Sequence, residues 1–199
     1  MGKRKTHIRI SKICHALCIL ILACSCKTVR QVGVNSDSTN YQKKDSQILE
    51  IINGMYEVVE WNDGEQTHRP PEVSGRWGFH DNKVMFILHD RTDPELYKSK
   101  FGWGNGTVEG GKFQYTYTDH LNLRGTKESS SYTFDLPFDG MRFFNVEIKN
   151  DGIEMKSESG KQTWIINRKG MLYTDIEWGP DKVFTQRKWK RISEYLYPF

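Results

Sequence analysis

The sequence predicts an all-β chain: a small antiparallel up-and-down β-barrel with a short N-terminal helix, preceded by a signal peptide and a flexible tether. Three observations point there. Aromatic residues make up 13% of the chain and, with Thr and Val, far outnumber Ala, a composition that favours strands. After Gly54 the apolar residues alternate with period two and are punctuated by tight-turn dipeptides. No helical stretch separates the strands as a parallel crossover requires. Neighbouring strands therefore pair in sequence order, and closing the sheet removes its exposed edges. A two-sheet sandwich is the alternative architecture.

The N-terminus differs from the rest. Residues 1–12 are basic and polar, 13–23 are apolar apart from His15, and small residues follow at Ala23 and Ser25. That order is the order of a secretory signal, and the apolar run is shorter than the ~20 residues a membrane-spanning helix needs. The four cysteines, Cys14, Cys18, Cys24 and Cys26, all lie here. The domain beyond them is expected to fold without a disulfide or a cysteine-ligated metal. Lys3, Arg4, Lys5, Arg9 and Lys12 precede Cys24 with no Asp or Glu among them, so setting them aside takes the formal charge from +4 to −1. A near-neutral remainder makes nucleic acid a poor partner.

Ile21-Leu22-Ala23-Cys24 resembles a bacterial lipobox, in which an aliphatic and a small residue precede the acylated cysteine. The resemblance implies a lipoprotein signal peptide over 1–23 and lipid attachment at Cys24, with Cys26 as the competing site. It also implies a location in the bacterial cell envelope, lipid-anchored at the outer membrane or periplasmic face. Acyl chains contribute ~0.8 kcal/mol per buried CH₂, so two or three hold firmly. An ordinary signal peptide is the alternative. Residues 24–44 are polar and read as a disordered tether, with a reach of roughly 20–25 Å.

The domain spans 45–199. Asp45 or Ser46 can cap a short helix over 47–53 that carries Ile48, Leu49 and Ile52 on one side, with Gly54 as its stop. A first strand follows over 55–61. Asp81-Asn82 as a two-residue turn sets His80 against Lys83, Phe79 against Val84 and Trp77 against Phe86. Trp77, Phe79, Val84, Phe86 and Leu88 then share a face. Gly110-Gly111 sets Val108 against Phe113 and Gly106 against Tyr115, and gathers Phe113, Tyr115 and Tyr117, with Gly104 and Gly106 leaving room for the rings. Asp151-Gly152 predicts Lys149 against Glu154, Glu147 against Lys156 and Ile148 against Met155, with Phe144 and Val146 on the same face. Ser159-Gly160 sets Met155 against Trp164 and Ile153 against Ile166. The last strand spans 183–192, for a total of about eight to ten strands.

Gly54-Met55-Tyr56 opens the first strand, and Arg187-Lys188-Trp189-Lys190-Arg191 lies on the last. The hairpin from Gly75 to Leu88 and the turn at Gly110-Gly111 fall between them. In these features the chain resembles a bacterial lipocalin-like domain over about 54–192. Lipocalins carry Gly-x-Trp on the first strand, where this chain has Tyr56, and place a Trp or Arg of the last strand against it. The resemblance implies a barrel that encloses one small apolar or amphipathic ligand at one end and performs no catalysis. The ligand-binding residues expected from the inward face are Trp77, Phe79, Phe86, Tyr115, Tyr117, Phe144 and Trp164. The competing reading fills the core with these rings. The protein is then an accessory envelope lipoprotein that binds protein or glycan through its loops. Trp61, Trp103 and Trp178, near turns, either stack on sugars or pack the barrel rim.

No residues assemble into a catalytic, metal or phosphate site, and no cofactor is expected. His68, His80, His89 and His120 show neither His-x-His nor His-x-x-x-His spacing. His89 reads as a solvated residue at a strand end. Asp175 and Glu177 can support acid–base chemistry, but they flank Ile176 and read as a solvated edge.

Overall fold

The computed structural model describes residues 36–126, 128–135, 141–178 and 182–193. The signal segment, Cys24 and Cys26 lie outside the described residues. Among the described residues one helix, α1 (Ser36–Ile52), precedes the strands β1 (Gly54–Asn62), β2 (Thr67–His68), β3 (Val73–His80) and β4 (Lys83–Asp93). There follow β5 (Leu96–Glu109), β6 (Lys112–Gly125), β7 (Ser130–Asp135) and β8 (Arg142–Ile148). The last are β9 (Gly152–Ser157), β10 (Gln162–Asn167), β11 (Gly170–Trp178) and β12 (Val183–Ser193). Among the described residues, β1, β3, β4, β5, β6, β8, β9, β10, β11 and β12 pair in that order, and β12 pairs back onto β1. The result is a closed, antiparallel, up-and-down barrel of ten strands. The short β2 and β7 add to β1 and β6.

The turns set most of this register. Asp81 and Asn82 both have positive φ, 47° and 59°, as a two-residue hairpin turn requires. They align Phe79 with Val84 and Trp77 with Phe86 as the sequence predicts. Gly110 and Gly111 repeat the device at φ 60° and 75° and align Val108 with Phe113. The register across Ser159-Gly160, Met155 with Trp164 and Ile153 with Ile166, also agrees. The entire expected inward set is buried, from Trp77 on β3 to Ile166 on β10.

The β8–β9 register differs from expectation by two residues. Ile148 pairs with Ile153, Val146 with Met155 and Glu147 with Glu154. The Lys149 amide donates to the Gly152 carbonyl at 2.9 Å, so Asn150 and Asp151 form the turn and Gly152 begins β9. Packing accounts for the glycine: a Cβ at Gly152 would stand 2.1 Å from the Ile166 carbonyl oxygen on β10. A two-residue shift leaves the same side chains inward. The facing Glu147 and Glu154 are bridged by Lys149, at 2.6 and 3.5 Å, and Lys156 reaches Glu154 at 2.6 Å. Exposed pairs of this kind contribute little, and the apolar face decides the register.

Two further expectations are corrected. Gly104 makes room for backbone, because its Cβ would lie 1.9 Å from the Thr116 carbonyl oxygen beside a register shift. Gly102 makes room for rings, since a Cβ there would meet Phe86 at 2.3 Å and Tyr117 at 3.0 Å. Helix α1 begins at Ser36, so residues 36–44 of the expected tether are helical, a stretch that no Gly or Pro interrupts. Asp45 is therefore no cap. Its carboxylate accepts the Gly110 and Gly111 amides at 2.9 and 2.7 Å and clamps the helix to the β5–β6 turn. Ile48 and Ile52 are fully buried, and the Tyr56 hydroxyl donates to the Ile51 and Ile52 carbonyls at 3.1 and 3.3 Å, satisfying the helix terminus. Burial pushes the Tyr56 phenol up to about 12, against the pull of Arg191. Helix α1 thus covers one end of the barrel. At the seam, the Arg191 guanidinium lies 5.7 Å from the Tyr56 ring centre and donates to the Asn53 carbonyl.

Candidate functional site

Barrel diameter grows with strand number, and eight strands give an interior just wide enough for side chains to fill. Ten strands leave more space. At the α1 end, Ile48 and Ile52 from the helix join Phe79 and Phe113, which meet edge to face at 5.3 Å, and this half is filled. Toward the other end a cavity of about 360 Å³ remains. This volume lies within the range of small-molecule sites.

The walls change character along the barrel axis, and strand alternation shows how. Successive inward positions run Phe113, Tyr115, Tyr117 on β6 and Ile166, Trp164, Gln162 on β10. On β11 they run Met171, Tyr173, Asp175, and on β12 Trp189, Arg187, Thr185. Each series goes from apolar near the helix to polar near the far end. Trp77, Trp164, Phe86 and Trp189 supply the apolar wall of the cavity, and Lys100, His120, Arg142 and Glu177 lie around its polar part. The rings form a connected wall: Trp77 to Trp164 at 5.3 Å, Trp164 to Tyr173 at 4.6 Å, and Phe86 to Tyr117 at 4.8 Å.

Two charged groups are buried in this wall, Asp175 and Arg187, each only 3% exposed. Asp175 accepts three hydrogen bonds, from the Tyr173 hydroxyl at 2.9 Å, the Gln162 amide at 2.8 Å and the Glu177 backbone at 2.9 Å. Arg187 stands over the Trp61 ring at 4.2 Å, with the Tyr173 ring at 5.4 Å. A register shift between Val58 and Glu60 brings Trp61 opposite Arg187. Burial lowers the Arg187 guanidinium to about 10, against the opposing pull of Tyr173 and Asp175, so it is charged at neutral pH. Burial also raises the phenols of Tyr115, Tyr117 and Tyr173 above their ordinary value, so all three are neutral hydroxyls.

Of the expected ligand-binding residues, Trp77, Phe86, Tyr115, Tyr117 and Trp164 line the cavity. Phe79 and Phe144 are buried but lie outside its lining. Phe144 stacks on Tyr115, with ring centres 5.8 Å apart and planes at 9°, and backs the wall. Trp61 packs under Arg187 at the rim, Trp103 is half-buried on β5, and the Trp178 side chain lies outside the described residues. Asp175 is a correction: it faces the interior, not a solvated edge. The alternation of Met171 and Tyr173 on β11 was the signal that could have found it. His89 sits outside the cavity lining, partly buried with Nδ1 2.7 Å from Ser99 Oγ, and burial lowers its pKa. Among the described residues, no three His, Cys, Asp or Glu gather to hold a metal ion.

The chain matches no known protein family, no curated protein and no solved structure.

Proposed function

We propose that this protein binds one small amphipathic ligand inside the barrel and performs no chemistry on it. The observation that carries the reading is the cavity itself. It is backed by the packed half of the barrel under α1, walled by tryptophan and phenylalanine rings, and polar toward the other end. A ligand with an apolar body and a polar head matches that gradient. The volume equals about a dozen liquid waters at ~30 Å³ each, which favours a ligand of about a dozen non-hydrogen atoms. The proposed role is that of a lipocalin-like carrier or sensor, held at the bacterial cell envelope by lipid on Cys24 or Cys26. The lipobox resemblance supports this anchor. No described helix is long and apolar enough to cross a membrane.

Native mass spectrometry after gentle purification tests the reading, together with displacement of a hydrophobic dye. A retained small molecule, or dye binding abolished by Trp164→Ala, is the expected result. A ligand-free protein that excludes such dyes refutes it. A second reading, loop-mediated binding of envelope protein or glycan, draws on Met141, Phe143, Ile176 and Val183, exposed apolar residues near the open end. Retention of a partner by the dye-excluding protein is the outcome that favours it.

A further inference from the structure

We propose that the head of the bound ligand is a carboxylate, seated against Arg187 and the indole N–H groups of Trp164 and Trp189. This inference rests on the cavity-binding reading above and names the ligand class for the same site.

The inventory of polar atoms carries it. Both acids of the cavity are engaged within the protein. Asp175 accepts from Tyr173, Gln162 and the Glu177 backbone, and Glu177 receives the Lys161 ammonium at 2.5 Å. The Tyr173 hydroxyl is committed as the donor to Asp175. Trp164 and Trp189 both line the cavity and are buried, and among the described residues their Nε1 donors meet no acceptor. A buried donor left without an acceptor is costly. Such donors in one cavity call for an acceptor from the ligand. The cations Arg187, Arg142 and Lys100 line the same space, against Asp175 and Glu177, so the local charge is positive by one.

Arg187 is the best placed of the three cations. It is buried, and the rings of Trp61 and Tyr173 hold its plane, so little side-chain entropy is lost when a ligand arrives. A planar guanidinium with parallel N–H bonds matches the two oxygens of a carboxylate. A cationic head would oppose three like charges and add donors where donors are already in excess. A neutral alcohol would satisfy the indoles in part and gain nothing from the charge.

Decanoate, decanol and decylamine share one apolar body and differ in the head. Their affinities for the full chain in detergent-free buffer, read by tryptophan fluorescence and calorimetry, test the proposal. Decanoate is expected to bind at least about tenfold tighter than decanol, with decylamine weakest. Arg187→Met is expected to erase the decanoate preference over decanol. Trp164→Phe lowers decanoate affinity several-fold. Thermal unfolding of each variant reports whether it is folded, and the three-ligand comparison on the unmodified chain stands without them. Decanol binding as tightly as decanoate overturns the carboxylate while leaving the cavity reading intact. Failure of all three ligands to bind overturns both.

Discussion

Gly102 shows how one missing methyl group shapes this interior. A Cβ at that position would press on Phe86 at 2.3 Å and Tyr117 at 3.0 Å, both buried rings of the cavity wall. Rings held by their neighbours cannot retreat without cost, and overpacking of this kind costs about 1–3 kcal/mol. Gly102→Ala is expected to destabilise the protein by that amount, read as a lower denaturant midpoint at an unchanged m-value. It should also weaken decanoate binding, because both rings line the cavity and yield into it. An unchanged midpoint would show that the wall is looser than its geometry implies. The inward aromatics were legible in the sequence because hairpin turns fix parity, and parity fixes the face. Arg187 and Asp175 were not. Charged residues are ordinarily outside, so a charge on an inward position is passed over even where, as for Arg187, its strand has been located.

At the scale of elements, the corner joining β1, β2 and β3 is held by ionic contacts. His68 Nε2 lies 2.9 Å from Asp63 and Nδ1 3.4 Å from Glu72. The hydrogen bond to Asp63 raises the His68 pKa above its ordinary 6.5, against partial burial and with help from Glu72. Asp63 is held down at about 2 from 3.8: burial pushes it up, but the Gln66 amide, His68 and the Glu65 amide outweigh that. The raised histidine stabilises the folded state fully below pH 6.5 and loses that contribution as pH rises through its folded value. The lowered carboxylate contributes fully above 3.8 and loses it as pH falls toward 2. This corner is therefore most stable between those limits. In an NMR titration His68 should show a pKa above 6.5, and Asp63→Asn should bring it back down; a value at or below 6.5 in the unmodified protein removes the linkage. Elements differed in legibility for physical reasons. The β3–β4 and β5–β6 hairpins announce themselves through residues that tolerate positive φ. The β8–β9 hairpin misleads because Gly152 serves the packing of β10. The α1 terminus misleads because Asp45 serves another element's amides, at a point where a cap is the simpler expectation.

The closed barrel as a whole is more than its hairpins, because its last seam joins residues far apart in the chain. Arg191 and Asn53, which hydrogen-bond there, are 138 positions apart, while each hairpin forms from neighbours. The strand count that leaves a cavity belongs to this scale, and the sequence bounded it only loosely, since closure depends on how many strands fit before β12 meets β1. Closing so long a loop costs entropy before its contacts return any, so the β1–β12 seam is expected to form late in folding. Val58 tests the order. It is buried and pairs with Trp189 across the seam. Val58→Ala should destabilise the protein by about 1.5–3 kcal/mol. If the seam forms after the rate-limiting step, that loss appears as faster unfolding with an unchanged refolding rate. Val84→Ala removes the same atoms from the local β3–β4 hairpin, where Val84 pairs with Phe79. It should slow refolding instead. Stopped-flow tryptophan fluorescence separates the two limbs, and a Val58→Ala variant that refolds as slowly as Val84→Ala would show the barrel closing early, with the hairpins assembling around an existing seam.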